Sequence, residues 1–427
     1  MKKDGKIFYG WWILLASIMI MTFLYAPIAN LVSLFIKPVT EDLKMERADF
    51  MNYYTIMALA SMVAAPLAGR LMKRIPIRIY LTTFTLFGAI SYIGFSFSST
   101  AWQFYLFAIP MGAALAGAAM IPVSVLITNW FVEKRGLALG IALAGTGLGG
   151  AILSPITSWL ITDFGWRTAY LTIGIIIIVA IIPFTLFIVT LTPESKGLLP
   201  LGAKDIPTNE NAHKPVSGVS QKRTFLSLSF WCFCLAILVA GIVINGLIIN
   251  MVPYLTDLGA SPQHAALLLS LGSIMVIGGK LLIGKLYDSL GLFITITIIC
   301  IGSFASLFFM MHGNLLIPGI LFTIGMGIGG TAVTVTPAYL TGALFGEKDY
   351  GAKYGIVAIF TSLGAAITPI VSGAIYSINQ SYDLLIYVLL GLTVAEIILF
   401  TVAIKTKPKA DEELTVETAP ITHEGGI

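Results

Sequence analysis

The chain has 427 residues, of which 57% are hydrophobic and 11% are charged, and its formal net charge at pH 7 is +4. Soluble domains carry about 25% charged residues, so this composition and a mean hydropathy of +0.92 exclude an ordinary soluble protein. The small positive excess does not indicate a nucleic-acid partner, and three cysteines inside apolar runs indicate no disulfide or metal framework.

Twelve apolar runs follow one another, each about 20 residues or longer and able to cross about 30 Å of hydrocarbon as a helix. The first follows three lysines, as a signal peptide would, but it is long and lacks a small-residue cleavage site, so we predict a retained span. The first six predicted spans are Phe8–Ile36, Phe50–Leu71, Ile77–Phe97, Trp102–Asn129, Gly136–Ile161 and Trp166–Leu191. The second six are Ser227–Leu255, His264–Tyr287, Leu292–Met311, Leu315–Leu344, Gly351–Ile378 and Leu384–Ile404.

A polar segment separates the two sets of spans. Prolines, lysines and polar residues between Thr192 and Thr224 are typical of a linker. We therefore predict an N-terminal six-helix bundle over residues 1–192, a cytoplasmic linker over 193–226 and a C-terminal six-helix bundle over 227–406. The acidic tail, 407–427, is predicted to be disordered and cytoplasmic.

The distribution of lysine and arginine predicts the orientation of the spans. Apart from Lys280, 20 basic residues fall on the side of the N-terminus, the linker and the tail. The four on the opposite side are Lys37, Lys44, Arg47 and Arg167. Because basic loops stay in the cytoplasm, we expect both termini and the linker to be cytoplasmic in a multi-pass protein of the cytoplasmic membrane.

Six glycines and prolines recur in the second half at a constant separation of 215 positions. The pairs are Gly69 and Gly284, Gly112 and Gly327, Pro122 and Pro337, Gly136 and Gly351, Gly140 and Gly355, and Gly149 and Gly364. The fold class predicted is therefore an all-α membrane protein of twelve helices, in two six-helix bundles related by a parallel repeat. Carriers that work by alternating access use this arrangement.

Lys280 lies deep inside the apolar stretch Leu267–Asp288. A charged side chain at the bilayer centre costs between about 2.5 and more than 10 kcal/mol, so it indicates water, a partner or a function. An ammonium forms a charge-assisted hydrogen bond with a carboxylate, which makes Lys280 our first candidate for binding an organic anion. In the structural alternative, its long side chain reaches the interface near Asp288.

The loop after the eighth span carries a family motif. Its sequence GKLYDSLG, Gly284 to Gly291, resembles the cytoplasmic G-x-L-x-D-x-x-G motif of the major facilitator superfamily, and the likeness covers essentially the whole chain. The first-half copy, GRLMKRIPIR from Gly69, places Lys73 where the motif has aspartate. The resemblance implies gating roles for Gly69, Arg70, Arg135, Gly284 and Asp288.

Two further stretches resemble the monocarboxylate transporter and oxalate/formate antiporter group. They are YGWW, Tyr9 to Trp12, and NWFVEKRGLALGIALAGTGLGG, Asn129 to Gly150. That group binds a carboxylate with a basic residue in the eighth span, and Lys280 matches this position. The oxalate antiporter's second lysine matches Thr361, while the proton-linked carriers' first-helix lysine and eighth-helix aspartate match Ala29 and Val276. These departures disfavour a dicarboxylate and remove the usual proton route.

Polar residues in spans one, five, seven and eleven lie where the family's cavity-lining helices are expected. The substrate-binding candidates beside Lys280 are Tyr25, Asn30, Thr146, Asn245, Asn250 and Thr361. Polar residues also join helices to one another, so each has a structural alternative. Lys280 and Glu396, an acid within the last span, are candidates for coupling, and Glu396 has the alternative of interfacial or interhelical contact.

The glycine strings Gly145–Gly150 and Gly325–Gly330 predict close helix packing, not a nucleotide site. Catalytic motifs such as H-E-x-x-H and G-x-S-x-G are absent from the sequence, so we predict no enzyme activity, no metal site and no cofactor. The predicted function is secondary transport of a small organic anion, with a monocarboxylate favoured, coupled to a proton or to a second anion. Efflux of amphipathic compounds and a non-transporting receptor are the alternatives, and we expect a monomer in the lipid bilayer.

Overall fold

The computed structural model describes residues 8–72, 74–131, 135–202, 218–346 and 348–409, and within these ranges twelve long helices follow one another. In the first half they are α1 (10–43), α2 (Arg47–Leu71), α3 (Ile77–Phe97), α4 (Ala101–Trp130), α5 (135–164) and α6 (166–188). In the second half they are α7 (Leu228–Asp257), α8 (262–290), α9 (292–310), α10 (316–345), α11 (Tyr350–Asn379) and α12 (Asp383–Lys405). The twelve-helix prediction is confirmed.

Single glycines separate two of the helix pairs. Gly165, with φ +84°, lies between α5 and α6, and Gly291, with φ +77°, lies between α8 and α9. Side chains with a Cβ rarely adopt such angles, so glycine lets the chain reverse without a long loop. Nine stretches of the described helices are long and apolar enough to cross a membrane, and Leu137–Ile188 and Pro262–Met310, of 52 and 49 residues, contain two spans each.

Three helices change their winding near the middle of the bundle. A π-helical turn, Met21–Tyr25, interrupts α1, and another, Leu115–Ala119, interrupts α4. In α10 the interruption is a 3₁₀ turn, Gly330–Val333. Each lies a few residues before a proline, Pro27, Pro122 or Pro337. A proline removes one backbone hydrogen bond from a helix and kinks it, which explains why regular winding fails at these points.

The packing of matched glycines confirms the internal repeat. A Cβ added to Gly112 of α4 would meet Ala60 of α2, and one added to Gly327 of α10 would meet Met275 of α8. Each residue of the second contact lies 215 positions after its counterpart in the first. The pair Gly149 and Gly364 behaves in the same way, because Gly149 packs on Ala26 of α1 and Gly364 packs on Gly241 of α7.

The two halves form two bundles, and the described ends of the linker, 193–202 and 218–226, lie at the same end of both. We call the end at which α1 and α7 begin the linker face and the opposite end the far face. At the linker face, the Leu201 amide donates to the Trp130 carbonyl at 3.0 Å, and the Val219 amide donates to the Phe345 carbonyl at 3.0 Å. Trp130 and Phe345 are again 215 positions apart, so the two ends of the linker are held by equivalent turns of the two bundles.

Side-chain hydrogen bonds between the bundles extend from the far face to the middle. The far-face bonds join Lys37 and Arg47 to Asp257, Glu46 to Ser377, and Thr162 to Gln263. Further inside, Thr55 donates to the Ala366 carbonyl and Ser270 to the Ala151 carbonyl. The innermost of these bonds among the described residues joins Lys280 to Thr146. The bundles are therefore fastened together on the far-face side of Lys280.

Candidate functional site

Lys280 reaches across the boundary between the bundles. Its side chain is half-buried, and Nζ donates to Oγ1 of Thr146 on α5 at 3.5 Å. The neighbouring Gly279 packs so closely on α10 that an added Cβ would collide with the Gly327 carbonyl. This contact holds α8 against α10, and the next residue along the helix, Lys280, extends toward the other bundle. Lys280 thus points toward Thr146 of the N-terminal bundle and not toward the membrane surface near Asp288, as the structural alternative would require.

Thr146 and Asn30 complete a polar cluster of three helices, which we call the central cluster. Thr146 Oγ1 donates to the Leu143 carbonyl at 2.9 Å, and Asn30 Nδ2 on α1 donates to the Thr146 carbonyl at 3.2 Å. Three of the predicted binding residues, Asn30, Thr146 and Lys280, therefore lie together. Lys280 and Asn30 each bond to Thr146, so Thr146 brings the polar groups of α1 and α8 together.

Glycines allow α5 to approach both neighbours of the central cluster. A Cβ added to Gly150 would meet Ser273 Oγ on α8 and would lie 3.1 Å from Asn30 Nδ2, and one added to Gly147 would meet Ile277. On the same helix, Gly145 and Gly149 pack on α1. The predicted role of this glycine string in helix packing is therefore confirmed. It also brings Ser273, which the sequence did not single out, next to the cluster.

The charge of Lys280 has no counter-ion in the described part of the chain. The ion pairs of Lys37, Arg47 and Arg167 lie at the far face, and Lys280 forms no ion pair with a described carboxylate. The acceptor of its hydrogen bond is a neutral hydroxyl at the long end of the hydrogen-bond range. An ammonium in such surroundings attracts water or an anion, because both supply acceptors that the protein does not.

Three of the four remaining predicted binding residues make hydrogen bonds within their own helices. Asn245 donates to the Gly241 carbonyl at 2.8 Å, Asn250 to the Gly246 carbonyl at 2.8 Å, and Thr361 to the Val357 carbonyl at 3.4 Å. Asn250 is buried, whereas Asn245, Thr361 and Tyr25 are half-buried. No side-chain hydrogen bond in the described ranges joins these four residues to Lys280, so their part in binding stays a prediction.

Glu396 lies away from the central cluster, on α12. It is fully buried, and neither carboxyl oxygen has a hydrogen-bond partner among the described residues. The thiol of Cys300 on α9 lies beside the carboxyl. The side chain thus contacts neighbouring helices and does not reach the interface. Its role in coupling stays a prediction.

The predicted gating residues lie at the linker face. Asp288 accepts a hydrogen bond from the Tyr339 hydroxyl at 3.1 Å, and the ring of Tyr339 stacks on Tyr287 with centroids 4.3 Å apart. Gly284 has open space around it and Arg70 is exposed. The side chain of Arg135 and the surroundings of Gly69 are outside what the structure describes, as is Lys73. The GKLYDSLG motif of the second half therefore contacts α10 through Tyr339.

A cluster at the far face was not predicted from the sequence. Arg47 and Lys37 bind Asp257, and Arg167 forms an ion pair with Asp42 at 2.5 Å. These three cations are among the four basic residues that the charge distribution placed on this side. Since basic residues are rare on that side, their presence was the signal that could have identified the cluster. No group of metal-binding side chains occurs in the described ranges.

Comparison of sequences links the chain to known carriers. Monocarboxylate transporter 12-B of Danio rerio is 26% identical over 313 residues, with 67% of this chain and 64% of that protein covered. Monocarboxylate transporter 12 of Homo sapiens is 25% identical over 297 residues, with 65% and 57% covered. The matches thus span about three fifths of the length of these relatives.

Solved structures share the fold at low sequence identity. A mutant of the nucleoside transporter NupG has a TM-score of 0.70 at 13% identity, with 92% of this chain and 99% of that chain covered. A D-xylose-proton symporter has a TM-score of 0.68 at 14% identity, with 93% and 97% covered. A family model described as Major Facilitator Superfamily matches residues 18–338 and 319–423. With this match over most of its length, and with twelve helices and a parallel repeat, the chain belongs to the Major Facilitator Superfamily.

Proposed function

We propose that this transporter carries small organic anions, specifically monocarboxylates, across the cytoplasmic membrane by alternating access. The observation that carries the proposal is the position of Lys280, whose ammonium lies between the bundles and donates to a neutral hydroxyl. Two relatives named as monocarboxylate transporters support the substrate class. The basic residues of the linker face support a cytoplasmic location of both termini.

The charge of the central cluster favours one carboxylate over two. Lys280 is a compact point charge with three donors, and its neighbours Asn30 and Thr146 are neutral. A substrate carboxylate would accept from the ammonium donors that Thr146 does not use, while the Thr146 hydroxyl keeps the ammonium in place. The position that resembles a second lysine in the oxalate antiporter holds Thr361. A dicarboxylate would therefore leave one charge without a partner, at considerable cost in a low dielectric.

The arrangement of contacts suggests how the anion moves. In the conformation described here, hydrogen bonds close the bundles on the far-face side of Lys280, so the anion reaches Lys280 from the linker face. Rocking of the bundles would break these bonds and open the far face. We further propose that the anion moves together with a proton or in exchange for a second anion. Lys280 and Glu396 are the ionisable groups whose substitution would test this coupling.

Thermal unfolding of the purified protein tests the substrate class. The panel comprises acetate, lactate and pyruvate, the dicarboxylates oxalate and malonate, and neutral amides of the same size. A ligand at about 100 times its dissociation constant stabilises the folded state by about 2.7 kcal/mol. We expect a monocarboxylate to raise the unfolding temperature of the wild type and of Lys285→Gln, but not of Lys280→Gln. Lys285 is an exposed lysine on the same helix, so it controls for loss of charge alone.

Two results would overturn the substrate assignment. In one, no carboxylate shifts the wild type while hydrophobic or amphipathic cations and neutral compounds do, as the efflux function requires. In the other, the carboxylate shift persists in Lys280→Gln, which would place the anion elsewhere.

A further inference from the structure

Arg47 is the centre of an ionic cluster at the far face. We define this far-face cluster as Lys37, Arg47, Asp257, Tyr376 and Tyr382. Arg47 Nη1 donates to Asp257 Oδ2 at 2.7 Å and Nη2 donates to Oδ1 at 3.1 Å, so the guanidinium holds the carboxylate with two parallel bonds. Lys37 Nζ donates to Oδ1 at 3.2 Å. Both cations belong to the N-terminal bundle and the carboxylate belongs to the C-terminal bundle.

Two aromatic rings of the C-terminal bundle surround the same guanidinium. The Arg47 Cζ atom lies 4.1 Å from the ring centroid of Tyr376 and 5.5 Å from that of Tyr382. The Arg47 side chain is only 10% exposed, compared with 32% for Lys37 and 30% for Asp257. An arginine of α2 is therefore inserted into a pocket that α7, α11 and the start of α12 provide.

The shape of this pocket is specific for arginine. A planar guanidinium forms two bonds to one carboxylate and stacks on rings, whereas an ammonium provides one point charge and no plane. Burying an ion pair contributes little net stability compared with apolar packing. The geometry therefore favours a role in fixing how the two bundles meet at this face.

The far-face cluster also lies on the route to the central cluster. A cleft of about 360 Å³ opens beside Lys37, with Glu41, Thr162 and Thr256 in its lining. Between this cleft and Lys280, Ser270 Oγ of α8 donates to the Ala151 carbonyl of α5 at 2.6 Å. A solute that enters from the far face meets the cleft first and then this closed contact. Opening the route separates α7 from α1 and α2, which requires Asp257 to leave both cations.

We infer that Arg47, held by Asp257 and the two tyrosines, is the gating residue that keeps the far face closed during transport. Lys37 assists it by binding the same carboxylate. The gate opens when Arg47 leaves the pocket, and it closes when the pocket captures the guanidinium again. The inference concerns a step of alternating access and does not depend on which solute binds at Lys280.

A buried reporter cysteine tests the gate without a substrate. Ser270→Cys is introduced after Cys232, Cys234 and Cys300 have been replaced, because Ser270 is only 9% exposed and lies at the closed contact. The rate of labelling by a membrane-impermeant maleimide is measured in vesicles whose far face is outward. Loss of charge-assisted hydrogen bonds should raise the labelling rate about tenfold in Asp257→Asn and in Arg47→Gln. Arg47→Lys should raise it as well, because lysine cannot replace the two parallel bonds.

The matched control is Asp42→Asn. It breaks the Asp42–Arg167 ion pair, which is exposed, lies at the same face and joins two helices of one bundle. This variant should label at the parent rate. The inference is wrong if Asp257→Asn and Arg47→Gln label like the parent, or if Asp42→Asn labels as fast as they do. Monodisperse purified protein is required of each variant, and either of Asp257→Asn and Arg47→Gln decides the matter if the other does not fold.

Discussion

Lys280 on α8 and Thr146 on α5 form the innermost side-chain hydrogen bond between the two bundles among the described residues, with 3.5 Å between Nζ and Oγ1. The distance is long for a hydrogen bond, and the acceptor is neutral. The contact therefore joins the bundles only weakly and leaves most of the donor capacity of the ammonium for a ligand. A carboxylate bound to the ammonium would strengthen a junction that Lys280 and Thr146 by themselves close loosely.

The hydroxyl of Thr146 should orient the ammonium. We expect Thr146→Val to weaken binding of a monocarboxylate about fivefold, which corresponds to the loss of one hydrogen bond of about 1 kcal/mol. Thr146→Ser keeps the hydroxyl and should bind nearly as the wild type does. Isothermal titration of the purified variants measures both affinities. Equal affinity of the valine and serine variants would show that the hydroxyl has no part in binding.

Close approach of α8 and α10 supports the position of Lys280. An added Cβ at Gly279 would collide with the Gly327 carbonyl, whereas at Gly278 no heavy atom lies within 4 Å. We expect Gly279→Ala to reduce the free energy of unfolding by about 1–3 kcal/mol, as overpacking does. Gly278→Ala should be neutral or slightly stabilising, because alanine favours helix. Denaturation of the two variants in the same detergent compares them, and equal stabilities would contradict the packing described here.

The buried carboxyl of Glu396 on α12 should reduce the stability of the folded protein. A buried polar group without an adequate partner costs about 1–3 kcal/mol, and among the described residues the Glu396 carboxyl has only the weakly donating Cys300 thiol beside it. We expect Glu396→Met to raise the unfolding temperature, with Ile398→Met on the exposed side of α12 as the control. If the carboxyl couples transport to protons, the same variant should also lose the pH dependence of uptake. An unfolding temperature below that of the wild type would show that Glu396 has a stabilising partner.

Acid should weaken one contact at the far face. A hydrogen bond from Arg167, and a second from Trp166, lower the pKa of Asp42 below its ordinary value. A lowered pKa gives a contribution to stability that is present above the unfolded pKa of about 3.9. This contribution is lost as the pH falls through the lower folded value. Asp42→Asn should therefore be slightly less stable than the wild type at neutral pH and equal to it in strong acid, as unfolding at several pH values would measure. The effect is small, because the pair is half exposed.

Much of this architecture could be predicted from the sequence. Long apolar runs fix the spans because the bilayer requires a helix of fixed minimum length, and the constant separation of glycines such as Gly112 and Gly327 predicted the repeat that packing confirms. The sequence also named Lys280, Thr146 and Asn30 separately. These three residues come together because the glycines of α5 let that helix approach α1 and α8. The sequence predicted that these glycines pack against helices, but it did not identify which helices.

Other features needed three-dimensional contacts. The pocket of Arg47 combines residues from α7, α11 and the start of α12, and no local pattern relates such distant positions. The prolines near the winding changes of α1, α4 and α10 are visible in the sequence, but the type of each turn, π or 3₁₀, is not. The neighbour of Glu396, Cys300, became known only from the packing of α9 against α12.

Counterflow in proteoliposomes shows whether Lys280 binds the carboxylate that the protein carries. Vesicles loaded with an unlabelled monocarboxylate that stabilises the purified protein are diluted into a trace of the same compound in radiolabelled form. We expect transient accumulation of the label with wild type and with Lys285→Gln, and none with Lys280→Gln, whose far-face and packing contacts are unchanged. Accumulation by Lys280→Gln at the wild-type rate would contradict the assignment of Lys280 as the residue that binds the carboxylate.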